Sequence, residues 1–453
     1  PVPEVDLPDP LRFTLTNGLD VVVIEKHQVP IVQLVLQVRA GSVRDEAGKV
    51  GLASLTADMI DEGAAGKSAL ELADAFEMLG ARFAAGAGRH VVNVTLRVPV
   101  ERLPDALAIM TDVVRQPDFP QAELERLRTE RLTALIRQHD DPNTIAGVLF
   151  DETVYGGDHA YGRGTLGDEA SLRSFTVDDV RAFHDHYYRP NNATLIVAGD
   201  IAPAEARRLA ETAFGGWQRG EAPPASVAAM KPVTGRTIYL VDKPGAVQSV
   251  IRLGHEGVPR ATPDYYAVQV LNTILGGSFT SRLNQNLRED KGYTYGAGSA
   301  FSYGLGAGSF AASAAVQTQS TGPALAEFMK ELNGIRAPIP QEEVERARQN
   351  LAMGFIQDFQ SVAQVAGQFG QIVEFGLPSG WLDDYVENVL AVTKQDVERV
   401  AQQYIDPENI AIVVVGDRAT IEEQIRALDL GPIHVLTVTD VLGPVPKMER
   451  PTS

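Results

Sequence analysis

Two stretches of this chain repeat each other without a gap, 217 residues apart, and that repeat limits the possible folds more than any other feature. The first is TVDDVRAFHDHYYRPNNATLIVAGD, Thr176 to Asp200, and the second is TKQDVERVAQQYIDPENIAIVVVGD, Thr393 to Asp417. Shared positions include Thr176/Thr393, Asp179/Asp396, Val180/Val397, Tyr187/Tyr404, Pro190/Pro407, Asn192/Asn409 and the closing Gly-Asp pairs, Gly199-Asp200 and Gly416-Asp417. Each reads as a helix, a Pro-Asn turn and a buried strand. A second pair, PQAELERLR from Pro120 and PQEEVERAR from Pro340, lies at an offset of 220. Proline followed by carboxylates marks a helix start, because proline lacks the amide that would go unbonded there and acids suit the helix dipole. Two matches in the same order at nearly one offset predict two homologous halves. Length agrees, since 453 residues exceed what a single core usually organises.

The halves meet in RGEAPPASVAAMKPVTGR, Arg219 to Arg236, whose Pro, Gly, Ala and Ser content reads as a linker. The expected division is therefore residues 1–218, a linker at 219–236, and residues 237–453. Val32-Leu34-Leu36-Val38 and Val92-Val94-Leu96-Val98 recur with period two, which gives strands with one apolar face. Asn17-Gly18 between two strands favours a type I′ hairpin turn. Such strands interleaved with long helices predict an α+β protein of two homologous halves. Each half is expected to be a mainly antiparallel sheet with helices on one face.

Net charge excludes one large class of partner. With 40 basic against 59 acidic residues the formal charge is −19, which repels phosphate backbones and argues against nucleic acid. It serves solubility, or lines an interior that attracts basic peptides. There is no cysteine, hence no disulfide framework and no thiolate metal site. The longest apolar run, near Ile410 to Val415, is far too short to span a membrane, so no membrane partner is expected. The chain begins with PVPEVDLPDP and no methionine, which fits a mature end left by signal-peptide removal, or a trimmed chain. The expected location is periplasmic.

The N-terminal region also carries a family pattern. A hairpin TLTNGLDVVV (Thr14 to Val23), an alternating strand, Ala40-Gly41-Ser42 and a helix opening at Gly51-Leu52-Ala53 together resemble the pitrilysin (insulinase-like) zinc metallopeptidases. The resemblance spans about Phe13 to Ile421. In that family the helix carries H-x-x-E-H, two histidines that bind zinc and a glutamate that activates water. The corresponding positions here are Ser54, Ala57 and Asp58. A third family ligand comes from a later helix, and counting back from Pro142 places it at Ala134 or Leu135. Ligands and base are lost together. The resemblance thus implies a specialised non-catalytic subunit that binds no cofactor itself, with zinc in a homologous partner.

One family feature survives. LGGSFTSRLNQNLREDKGYTYGAGSAF, Leu275 to Phe301, is similar to the family stretch in which an arginine and a tyrosine seven residues later contact substrate. Those positions are Arg288 and Tyr295, with Gly292 placed to end a helix between them. A guanidinium and a phenol are suitable donors to the oxyanion that forms when activated water attacks a peptide carbonyl. Tyr293 is the nearby rival. His184 and His186 lie on different helix faces and do not form a metal pair. The loop Asp158 to Arg163 reads as structural.

Two functions follow from the resemblance. In the first, this chain pairs with a zinc-bearing homologue, encloses a cavity with it, and supplies Arg288 and Tyr295 to a bound peptide. Two-subunit family members, including bacterial enzymes and mitochondrial processing peptidase, divide labour in that way. In the second it is an inert structural or peptide-holding scaffold, as related core subunits of a respiratory complex suggest. An intact Arg/Tyr pair favours the first.

Overall fold

Thr176 and Thr393 open two helices in the same way. In each, the threonine hydroxyl accepts a hydrogen bond from the amide three residues on, and the aspartate at that position accepts from the threonine amide. This reciprocal cap satisfies two amides that the helix leaves unbonded. The helices Val177–Tyr187 and Lys394–Tyr404 then lead into the fully buried strands Ala193–Gly199 and Ala411–Gly416. The computed structural model describes residues 9–221, 226–378 and 380–448. The first eight residues of the proline-rich start and residues 222–225 of the expected linker lie outside that set.

Each strand of the repeat sits third from one edge of a six-stranded sheet. The first sheet runs Leu11–Thr14, Asp20–Glu25, Ala193–Gly199, Ile31–Val38, Val92–Pro99, Arg82–Ala87. From the matching edge, the second runs Ile433–Thr437, Thr237–Asp242, Ala411–Gly416, Gln248–Glu256, Ser309–Gln317, Thr294–Ser302. Register is preserved as well as order. Asp20 stands opposite Thr194 in one sheet and Thr237 opposite Ala411 in the other, each residue moved by the same 217 positions. Most pairings are antiparallel. The sheets differ at one edge: Leu11–Thr14 joins by an antiparallel hairpin, whereas Ile433–Thr437 arrives from the C-terminus and runs parallel.

Each sheet carries its own half's helices on one face, and the other face is covered by a helix of the opposite half. Val21, Val23, Leu34, Leu36, Leu195 and Val197 pack into the first half's own core. On the other face Val22, Ile24, Val35, Ile196 and Ala198 pack with Val365, Ala366, Phe369 and Ile372 of the second-half helix Val362–Phe375. The second sheet receives the first-half helix Pro142–Tyr155, whose Ile145, Ala146, Leu149 and Phe150 meet Val250, Val413 and Val415. The two helices are themselves equivalent, 14 residues each and 220 positions apart. Burying one such phenylalanine contributes about 2–3 kcal/mol, so the exchange is a main source of cohesion between the halves.

This exchange explains a difference from the sequence reading. Along Ile31–Val38 every residue after Ile31 is buried, including Gln33 and Gln37 on the side that reads as polar. Gln37 Nε2 donates to Asn93 Oδ1 at 3.0 Å beneath the exchanged helix, while its buried Oε1 has no hydrogen-bond partner among the described residues. The Asn17-Gly18 turn also differs. Only Gly18 has positive φ, at 87°, and its amide closes a turn back to the Leu15 carbonyl at 2.9 Å. Asn17 is held instead by its side-chain amide, which donates to the carbonyls of Phe214 (2.7 Å) and Trp217 (3.1 Å). That anchoring selects a bulged hairpin over the two-residue type I′ turn.

Candidate functional site: a vacated metal position

The helix Leu52–Met59 is positioned by a carboxylate. Asp45 accepts hydrogen bonds from the Gly51 and Ala53 amides, both at 2.8 Å, and so serves the free N-terminus. Burial pushes the Asp45 carboxyl up to about 6, against the opposing pull of those two amides. Gly51 has φ 94°, and a Cβ there would meet the Leu166 carbonyl at 2.7 Å, so the loop Arg163–Gly167 lies directly on the helix start.

Ser54 and Asp58 are one helical turn apart and share one partner, Arg131. The Arg131 guanidinium donates to Asp58 Oδ2 at 2.6 Å and to Ser54 Oγ at 2.9 Å. It also reaches the Leu166 carbonyl at 3.3 Å. The Ser54 hydroxyl in turn donates a hydrogen bond to the Thr165 carbonyl at 2.6 Å. Arg131 is only 6% exposed, and its Nε has no partner. A tethered monovalent cation therefore bridges the two positions where the family pattern would place histidines. Ala57, at the position of the general base, is completely buried. Ala134 and Leu135 follow Arg131 by one turn on the same helix, Gln121–Gln138, and offer no donor atom.

These residues do not fit zinc. The one carboxylate is committed to a guanidinium, and a second cation in that space would be repelled by the first. Among the described residues no group of three or more His, Asp or Glu is arranged to hold a metal ion. Sequence reasoning missed Arg131, although a signal was present. Leu124, Leu127, Arg131 and Leu132 are the buried residues of their helix, so the arginine interrupts an apolar stripe at helical spacing.

Arg288 and Tyr295 sit in the second half and touch none of this. Arg288 lies in the last turn of a widened helical segment, Gln285–Asp290, which follows the single turn Arg282–Asn284. Gly292 ends it in the left-handed conformation, φ 66°, and the edge strand Thr294–Ser302 begins two residues later. The Arg288 guanidinium lies over the Phe279 ring at 4.5 Å and approaches Glu289 at 3.4 Å. Tyr295 is 91% exposed, and its hydroxyl has no hydrogen-bond partner among the described residues. Tyr293, the rival, packs partly against the second-half core.

The remaining candidates are structural. His184 is buried, donates from Nε2 to the Val114 carbonyl (2.9 Å), and burial pushes its imidazole down. In the loop Asp158 to Arg163, Tyr161 is hydrogen-bonded to His90 at 2.6 Å, and His90 to Glu374 of the exchanged helix at 2.8 Å. That network ties the halves together.

A duplicated α+β chain that keeps the ligand helix of a zinc peptidase, yet fills the metal position with arginine, is a metallopeptidase homologue without its metal site. Family models agree: residues 20–154 match the insulinase family (peptidase M16), and residues 174–351 match the peptidase M16 inactive domain. The chain belongs to the M16 peptidase family, as a pitrilysin-like inactive member. A solved structure described as a peptidase M16 inactive domain from Pseudomonas fluorescens is 27% identical. It superposes with a TM-score of 0.85 over 90% of this chain and 97% of its own. YmxG of Bacillus subtilis, described as an uncharacterized zinc protease, is 26% identical over 89% of this chain and 98% of its own. A protease from Helicobacter pylori, 21% identical, shares the fold with a TM-score of 0.82 over 90% of this chain and all of its own.

Proposed function

We propose that this chain is the non-catalytic subunit of a heterodimeric zinc peptidase, lending Arg288 and Tyr295 to a peptide held at a homologous partner's zinc site. The observation that supports this most is the contrast between the two sites. The metal position is closed by Arg131, whereas Tyr295 stands exposed with a free hydroxyl beside a helix end that presents Arg288. An exposed aromatic side chain whose hydroxyl has no internal partner, beside an arginine, suits a surface that meets another molecule. In the assembled pair the partner's zinc supplies the activated water. Tyr295 and Arg288 donate to the carbonyl oxygen as it gains charge, an interaction stronger in the transition state than in the bound peptide. The proposed location is the periplasm.

Reconstitution with a zinc-bearing homologue tests the reading. Tyr295→Phe removes only an exposed hydroxyl and should leave assembly intact by size-exclusion chromatography. Turnover should fall about 10²- to 10³-fold, the usual cost of one oxyanion donor. Tyr293→Phe should change turnover far less. Wild-type turnover by an assembled Tyr295→Phe pair would leave the chain as a scaffold.

A further inference from the structure

Beside the Arg288/Tyr295 pair a large apolar side chain is left in solvent. Phe279 lies in the loop between the helix Tyr265–Leu275 and the turn Arg282–Asn284, and it is 64% exposed. Its loop is nonetheless held firmly. Gly276 brings it hard against the edge strand Thr294–Ser302, since a Cβ there would meet the Ser299 amide nitrogen at 2.2 Å. The buried Asn284 donates from Nδ2 to the Phe279 carbonyl at 2.7 Å and accepts at Oδ1 from the Ala297 amide at 3.3 Å. Asn284 also immediately precedes the segment Gln285–Asp290 that carries Arg288. One side chain thus ties the Phe279 loop, the Arg288 segment and the strand of Tyr295 together. On that strand Thr294 pairs with Val316 and Ala297 with Ala314, so one extra residue is inserted at Tyr295-Gly296. Such a bulge re-aims a side chain, and Thr294 Oγ1 fixes it by donating to the Ala315 carbonyl at 2.6 Å and accepting from the Gly296 amide at 3.1 Å.

What Phe279 touches is the Arg288 guanidinium, whose carbon stands 4.5 Å from the ring centroid. Among the described residues the one acid in ion-pairing range is Glu289, 3.4 Å from Nε, and no guanidinium N–H makes a hydrogen bond. The two kinds of partner differ in what they consume. A carboxylate takes the in-plane N–H donors of arginine. An aromatic ring takes the face of the cation and leaves the N–H groups at its edge free. Phe279 therefore holds the guanidinium in one place without using a donor, and opposes its collapse onto Glu289.

We propose that Phe279 is a positioning residue for Arg288, keeping its N–H groups free and in place for a peptide carbonyl oxygen. The proposal rests on the peptidase reading above.

The test has two arms. In the first, the whole chain alone is labelled with isotopic arginine for NMR, and the Arg288 Nε–H signal is assigned by its loss in Arg288→Lys. In the wild-type chain the ring should shield that proton and move it upfield of other exposed arginines. The shift should be lost in Phe279→Leu, which keeps apolar bulk, and retained in Phe279→Tyr. In the second arm the chain is reconstituted with a zinc-bearing homologue and assembly is checked by size-exclusion chromatography. Phe279→Leu should lower kcat about two- to fivefold with little change in KM, the scale of an exposed cation–π contact, and Phe279→Tyr should restore it. An Arg288 signal unchanged by Phe279→Leu overturns the proposal without any partner. Wild-type turnover by an assembled Phe279→Leu pair, where Arg288→Ala is slow, overturns it as well. Wild-type turnover by an Arg288→Ala pair would instead sink the peptidase reading, and the role of Phe279 with it, so the two failures carry different signatures.

Discussion

Arg131 decides how the metal-site helix behaves. Its head satisfies Asp58 and Ser54 while its stem is enclosed, so truncation leaves a half-exposed carboxylate and a cavity. Because Asp58 can regain water, Arg131→Ala should destabilise by about 1–3 kcal/mol, below the 3–5 typical of a fully buried pair. Urea titration measures this. The same residue makes a prediction about metal. Introducing His at 54, Glu at 57, His at 58 and Glu at 135 should yield no stoichiometric zinc while Arg131 remains; replacing Arg131 as well should admit it. Elemental analysis of untagged protein distinguishes the two, and zinc in the variant that keeps Arg131 would refute the blocking role. Asp61, which no other side chain hydrogen-bonds or ion-pairs among the described residues, gives a stability prediction of its own. Burial raises its carboxyl to about 6, above the unfolded value of about 3.9, so the native state holds more protons between about pH 4 and 6. Stability from this group therefore declines as pH rises through that window. Asp61→Asn should flatten the decline and be more stable than wild type at pH 7.5, by about 1–2 kcal/mol in thermal or urea unfolding. A variant no more stable than wild type would contradict the unpaired state of this acid.

At the scale of elements, the strands, the paired helices and the ends of the repeat were legible because each rests on local chemistry. Thr176 and Thr393 cap through their own third neighbours, and period-two patterning marks Val92–Pro99 correctly. What was not legible depends on distant packing. Gln33 and Gln37 read as a solvated face because the helix that covers them lies more than three hundred residues on. A trace was there: Ile145-Ala146-Gly147-x-Leu149 and Val365-Ala366-Gly367-x-Phe369 match at the same offset of 220 as the two PQ motifs. The exchange carries a prediction. A chain ending near residue 221 lacks the cover for Val35 and Ile196, and one starting near 226 lacks the cover for Val250 and Val413. Each fragment should be insoluble or poorly folded alone, whereas co-expression should restore a soluble, cooperatively unfolding complex. A cooperative melt from either fragment alone would count against it.

At the scale of the molecule, a loss in one half is set against retention in the other. The degenerate motif was readable from Ser54, Ala57 and Asp58, and the Arg288/Tyr295 geometry from Gly292. The replacement cation was marked only by its place in an apolar stripe, and its destination was not legible, because nothing local announces that a helix 73 residues later will deliver its arginine to Asp58. The exchanged helices have one more consequence, and it concerns ancestry. Equivalent helices traded between equivalent sheets form a self-complementary contact with approximate two-fold symmetry. A polypeptide with only one such half could cover its second sheet face by borrowing the helix of an identical copy. The present chain is thus built like a swapped homodimer fused end to end, and fusion freed each copy to diverge: one could lose its metal ligands while the other kept its arginine and tyrosine.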